Sequence, residues 1–192
     1  MPDSAAHHSP MTMPAKTLHF IRHGEADYNL LNWVNAHAHV PNNLTATGRE
    51  QAACCGQALA ETGIEIIYCS AFPRALQTAD IINQQFSVPI VVDTRINETG
   101  AFAFEGKPAH LWYAANAPDR LTTAVPGCEP LSDMKLRLRA FLDTLHGTSA
   151  RHIAVVSHAE PIQLMLGMLS GVSDSEAKQR PISHCFPISA DL

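Results

Sequence analysis

The chain has 192 residues and a formal net charge of −5, a length that suits one ordinary domain with a sizeable core. Hydrophobic residues at 46% against charged residues at 16% exclude a disordered chain. The acidic balance, with no basic run, argues against nucleic acid as a partner, and no stretch is long and apolar enough to suggest a membrane span.

In chain order, "MPDSAAHHSPMTMPAK" has no apolar run and an early acid, unlike a secretory signal. Residues 1–15 are expected to form a loose tail, with Met11 or Met13 as alternative starts, and residues 16–192 a single domain. "KTLHFIRH" reads as a buried first strand ending near His23. A polar loop, "NWVNAHAHVPNN", follows. "LTATGREQAACCGQALAETG" reads as a helix, with Thr47 and Glu50 at capping-box spacing and Gly63 as its stop. "IEIIYCS" is a second buried strand. "SAFPRALQTADIINQQF" is a helix with Phe72, Leu76, Ala79 and Ile82 on one face, and "VPIVVD" is a short third strand.

Residues 94 to 128 lack clean periodicity and are rich in glycine and proline. An irregular insert of that length in a compact domain is usually functional. "EPLSDMKLRLRAFLDTLHG" is amphipathic, with Met134, Leu138, Phe141 and Leu145 on one side. "RHIAVVSH" is a fourth strand ending at His158, "EPIQLMLGMLSG" a core helix, and "RPISHCFPIS" a candidate last edge strand. Strands alternating with helices predict an α/β three-layer sandwich with a mostly parallel central sheet flanked by helices.

The five cysteines are odd in number and none are at CxxC spacing, so a disulfide framework is not expected and a reducing cytoplasm is the simpler location. His37 and His39 lack a carboxylate or cysteine at ligand spacing, so no metal and no cofactor is expected.

His23, His158 and the segment holding Arg74 each follow a strand. Open α/β sheets bind ligands at that edge. Two histidines and two arginines, Arg22 and Arg74, would then share one pocket, and the guanidinium fork suits phosphate oxygens. The residues alone therefore suggest a phosphate site with an imidazole beside it.

They also carry a family resemblance. "RHGEADYN" resembles the RHGExxxN signature of the histidine phosphatase superfamily, the phosphoglycerate mutase-like fold. "LTATGREQA" is similar to its LTxxGxxQA helix, "CSAFPRALQTA" to its second block, "INETGAFAFEG" to the acidic-donor block and its WEG-like turn, and "VVSHAEPI" to VSHGGxI. The five blocks run in the family's order from about residue 17 to 170. Three departures stand out: Phe104 replaces the turn's tryptophan, Ala159-Glu160-Pro161 follows the second histidine, and Pro130 stands where a serine is common. None removes a catalytic residue, and they bear on substrate choice more than on chemistry.

The resemblance implies roles. His23 would be the nucleophile, forming phosphohistidine with its other nitrogen bonded to a backbone carbonyl. Arg22, Arg74 and Asn29 would hold phosphoryl oxygens, with Asn29 alternatively capping a turn and Arg74 alternatively a surface arginine. His158 would be another phosphoryl ligand, with a protonated ring as one option. Glu98 would be the general acid and then base, with Glu105 as its competitor or a positioning residue. Gly24, Glu105 and Ala159 complete the expected substrate contacts.

The expected activity is metal-independent phosphomonoester hydrolysis on a small phosphorylated metabolite. Phosphoglycerate mutase-type transfer, phosphoprotein dephosphorylation, a non-catalytic phosphate-binding module and a metal hydrolase are the rivals. A homodimer is left open.

Overall fold

The computed structural model describes residues 15–192. The expected tail, residues 1–15, lies outside the described residues save for Ala15. Five strands form one sheet: β1 (Thr17–Arg22), β2 (Ile66–Cys69), β3 (Ile90–Val92), β4 (His152–Ser157) and β5 (Ile188–Asp191), in the order β3-β2-β4-β1-β5. β3, β2, β4 and β1 pair in parallel, and β5 runs antiparallel on the β1 edge.

The central strands are apolar on both faces, as a sheet covered on both sides requires. Alternate residues point to opposite layers. Leu18, Phe20, Ile153 and Val155 pack with one set of helices, and Ile21, Ile67, Ala154 and Val156 with the other. The first set is α5 (Leu131–Leu145) and α6 (Ala159–Ser170), through Met134, Leu138, Phe141, Ile162 and Met165. The second is α2 (Ala46–Leu59) and α3 (Pro73–Asn83), through Ala52, Cys55, Leu59, Ala75, Ala79 and Ile82. Burying each large apolar side chain contributes about 1.5–3 kcal/mol. The expected three-layer α/β architecture is the one observed.

Three short helices were not foreseen: α1 (Asp27–Leu31), α4 (Ala109–Ala115) and α7 (Asp174–Lys178). At five to seven residues they are below the length at which helices hold themselves. They depend on caps and neighbours, as when Ser173 accepts from Glu176 N at 3.3 Å. α4 lies inside the segment expected to be irregular.

The cap of α2 also differs. Thr45, not Thr47, is the N-cap and accepts from Gly48 N at 3.0 Å. An earlier start places Gly48 against the β1–α1 turn. A Cβ on Gly24 would stand 2.3 Å from Gly48 O, so this approach tolerates no side chain.

The last strand begins at Ile188, beyond Pro187 and eight residues after the start of the candidate segment at Arg180, because proline supplies no ladder N–H. Its register begins only at Ile188 opposite Phe20.

Register decides where the site falls. Arg22 pairs with Ser157 and Cys69 with Val156, so β1, β2 and β4 deliver His23, Ser70 and His158 to the same edge of the sheet.

Candidate active site

His23 is the first residue past β1, and its N–H donates to Ser157 O at 3.0 Å. Its side chain has no solvent exposure. Nδ1 lies 2.7 Å from Gly24 O. A carbonyl only accepts, so Nδ1 carries the proton and Nε2 keeps its lone pair. Arg74 Nε donates to that lone pair at 3.1 Å, and the Tyr28 hydroxyl stands 3.2 Å from it. Burial, reinforced by the Arg74 charge, holds the ring's pKa well below the usual histidine value, so it is neutral and basic at Nε2.

Arg74 is the second residue of α3, after Pro73 at the helix start, and is fully buried. Its guanidinium lies 4.4 Å from the Phe72 ring centroid and 4.5 Å from that of Tyr28. Nη1 donates to Asn35 Oδ1, and Nη2 to His158 Nδ1 at 3.3 Å. One cation therefore binds both histidines and the 32–43 loop.

His158 is the first residue past β4, its ring centroid 5.1 Å from that of His23. Its Nδ1 accepts from Arg74, so Nε2 holds the proton and donates to Ser70 Oγ at 2.8 Å. Ser70 in turn donates to Asn97 Oδ1 at 3.0 Å, which also receives Ala71 N at 2.9 Å. Burial and then Arg74 hold the His158 pKa well below the usual value. Burial and the adjacent Arg74 cation both work against the option of a protonated His158.

Glu98 lies 3.7 Å from His158 Nδ1 through Oε2, while Oε1 accepts from Thr99 N at 2.9 Å. Burial pushes its pKa above the usual glutamate value, and Glu160 adds to the push against the opposing pull of Arg74. A carboxyl whose pKa is raised in this way, set beside His158, is suited to general acid work.

Arg22 ends β1 and anchors through Nη1 to Ile182 O at 2.9 Å. Together with Asn29, Glu98 and Ala159 it lines a cavity of about 560 Å³. The same cavity is walled by Asn32, Trp33 and Asn35 of the polar loop and by residues from Thr99 to Arg120 of the insert expected to be functional.

Three expected substrate contacts have other work. Gly24 is outside the cavity wall: its N–H donates to Thr78 Oγ1 at 3.0 Å and its carbonyl orients His23. Glu105 is also outside it. Its Oε2 accepts from Ala36 N at 2.6 Å and His37 N at 2.8 Å, and its Oε1 from Asn35 Nδ2 at 3.3 Å. Glu105 therefore clasps the loop whose Asn35 meets Arg74. Asn29 lines the cavity, but its Oδ1 caps the turn by accepting from Ala26 N at 3.0 Å.

Sequence reasoning missed Tyr28, Asn35, Ser70 and Asn97. Ser70 carried the same signal as His23, a polar residue one step past a buried strand. Asn97 stood next to Glu98. Asn35 had no signal, because its role arises from a loop clasped 70 residues away by Glu105. The His37 and His39 rings lie tilted at 5.1 Å, and His37 stacks on Phe102 at 5.0 Å. Among the described residues no group of three or more His, Cys, Asp or Glu is arranged to hold a metal ion.

The chain is similar to known proteins. The family model of the histidine phosphatase superfamily (branch 1) matches residues 18–187. The chain is 29% identical over 179 residues to fructose-2,6-bisphosphatase TIGAR B of Danio rerio, covering 90% of this chain and 69% of that protein. It is 29% identical over 167 residues to the uncharacterized phosphatase PhoE of Bacillus subtilis, covering 86% and 83%. The alpha-ribazole phosphatase from Shigella flexneri superposes with a TM-score of 0.82 at 23% identity, over 90% of this chain and 89% of that one, which shows the shared fold. A match across nearly all of the sheet and both histidine turns leaves one assignment: this chain belongs to the histidine phosphatase superfamily.

Proposed function

We propose that the protein hydrolyses phosphomonoesters of small metabolites through a phosphohistidine at His23. The observation that carries this reading is the bonding of His23. Its proton is tied to Gly24 O at 2.7 Å, and its Nε2 lone pair is held by Arg74 at 3.1 Å. A neutral, orientated imidazole beside a buried guanidinium is an activated nucleophile next to a phosphoryl-oxygen ligand.

In the first step Nε2 forms a bond to phosphorus as the bond from phosphorus to the ester oxygen breaks. Arg74 and Arg22 meet the charge on the equatorial oxygens, and His158, whose one proton goes to Ser70, holds the Arg74 guanidinium in place. The Tyr28 hydroxyl and Arg74 Nε both give up the Nε2 lone pair, and the Arg74 N–H turns to a phosphoryl oxygen. Glu98 transfers its proton to the departing oxygen, so the alcohol leaves neutral. In the second step Glu98, now ionised, takes a proton from water as the water oxygen bonds to phosphorus. The N–P bond breaks, inorganic phosphate leaves, and His23 and Glu98 return to their starting forms.

The test is a rapid quench with a phosphomonoester carrying labelled phosphorus. Label should appear on the protein, survive base, be lost in acid, and be absent from His23→Ala. Free phosphate should equal alcohol released, with no isomerised ester. Near-wild-type hydrolysis by His23→Ala overturns the reading.

A further inference from the structure

The cavity beyond Glu98 is built largely by Trp112, Asn116, Arg120, Glu160, Gln163 and Lys178. Two of these are cations, which alone would suit a second anionic group on a substrate. Lys178 is already engaged and Arg120 in part, its buried Nε having no hydrogen-bond partner. Lys178 Nζ donates to Glu160 Oε1 at 2.7 Å, and Arg120 Nε stands 3.9 Å from the same oxygen. Arg120 also donates from Nη2 to Glu129 O at 3.0 Å, and its guanidinium carbon lies 5.4 Å from the Trp112 ring centroid. The other Glu160 oxygen accepts from the Thr99 hydroxyl. Glu160 thus draws three segments together and sets a carboxylate in the cavity wall.

The amides point the same way. Asn116 Nδ2 donates to Trp112 O at 2.6 Å, and Gln163 Nε2 donates to Lys178 O at 3.0 Å and Arg180 O at 2.7 Å. A carbonyl only accepts, so these bonds fix which end of each amide is nitrogen. The remaining ends, Asn116 Oδ1 and Gln163 Oε1, are acceptors. Asn116 is 7% exposed and its Oδ1 has no partner. Acceptors are satisfied by hydroxyls and repelled by anions. The indole of Trp112 offers an apolar face beside them.

We infer that this part of the cavity selects a phosphomonoester whose leaving group is uncharged and bears hydroxyls, and that Glu160 turns away a second anionic group. The inference rests on the phosphatase reading for the word leaving, but the selection itself is a property of binding.

The two are separated by measuring binding without turnover. His23→Ala protein is titrated calorimetrically with glucose 6-phosphate, glucose 1,6-bisphosphate and cyclohexylmethyl phosphate, which has no hydroxyls. Glucose 6-phosphate should bind tightest. Adding Glu160→Gln should tighten the bisphosphate about tenfold relative to the monophosphate, the effect of one unit charge at contact range in a part-solvated site. Adding Lys178→Gln should shift that ratio the opposite way, which keeps the test decisive if the Glu160 variant does not fold.

A preference for the bisphosphate in the parent overturns the inference. So does an unchanged ratio in both variants, tighter binding of the hydroxyl-free ester, or no binding of any of the three. Hydrolysis of p-nitrophenyl phosphate by the unmodified protein is assayed in parallel. If it is absent while the binding ratios hold, the phosphatase reading fails and the selectivity stands.

Discussion

The assignment of the proton donor makes the sharpest prediction, because two glutamates seven residues apart hold different partners. Glu98→Gln keeps the side chain's size and its bond from Thr99 N, since an amide oxygen accepts as a carboxylate does. It removes only the proton. A positioned proton donor is worth about 10²–10⁴-fold, and only where the leaving oxygen needs a proton. Phosphoenzyme formation from an alkyl phosphate should therefore fall by about 10²–10⁴-fold. The same step with nitrophenyl phosphate, whose phenolate leaves nearly unaided, should fall less than about tenfold.

Glu105→Gln has another expected signature. Its carboxylate receives two backbone N–H groups and the Asn35 amide. The substituted amide puts a donor against one of those donors and weakens charge-assisted bonds, at a cost of about 1–2 kcal/mol in stability. The effect reaches the site only through Asn35 and Arg74, so both esters should slow by a similar factor. Burst amplitudes and rates by quenched flow, measured for both variants with both esters, decide the matter. Water activation by the same carboxylate also slows in Glu98→Gln, so the burst and not the steady state is compared. Leaving-group dependence in Glu105→Gln but not in Glu98→Gln would refute the assignment.

Four further outcomes are expected. Arg74→Lys should lower kcat/KM by about 10²–10³-fold, because an ammonium cannot reach His23, His158 and Asn35 together while stacked between two rings; an unchanged rate would remove Arg74 from the site. The pH profile with alkyl phosphates should be a bell. Activity is lost as pH falls through the His23 pKa, which lies below 6.5, and as pH rises through the Glu98 pKa, which lies above 4.5. With nitrophenyl phosphate the alkaline limb should flatten, and Glu160→Gln should move it to lower pH by removing a charge that favours protonated Glu98. Gly24→Ala should cost about 1–3 kcal/mol, read as a lower Tm, because its Cβ would meet the backbone oxygen of Gly48 at 2.3 Å. Activity should persist in excess chelator, since Arg22 and Arg74 meet the phosphate charge; complete loss with recovery on adding a divalent ion would replace this mechanism with a metal-assisted one.

The sequence alone determined the layers. Unbroken apolar runs such as those ending at Arg22 and Ser157 can only be strands covered on both sides, and the amphipathic stretch holding Met134, Leu138 and Phe141 can only cover one. It also located His23, Arg74 and His158, because each follows a strand that the hydrophobic period made visible. The five ordered blocks tied those positions to a family.

Tertiary structure decided what each polar side chain does. Nothing local distinguishes Glu98, half-buried 3.7 Å from His158, from Glu105, which clasps a loop. Tyr28 and Asn35 share no period with the residues they touch, and both meet Arg74 across a turn and a loop. The short helices α1, α4 and α7 were invisible because each is too short to show a hydrophobic period and depends on caps and neighbours. Hydrophobic patterning repeats every two or 3.6 residues and so is legible along a chain. Hydrogen bonds between segments tens of residues apart have no period, and only folding pairs a donor with its acceptor.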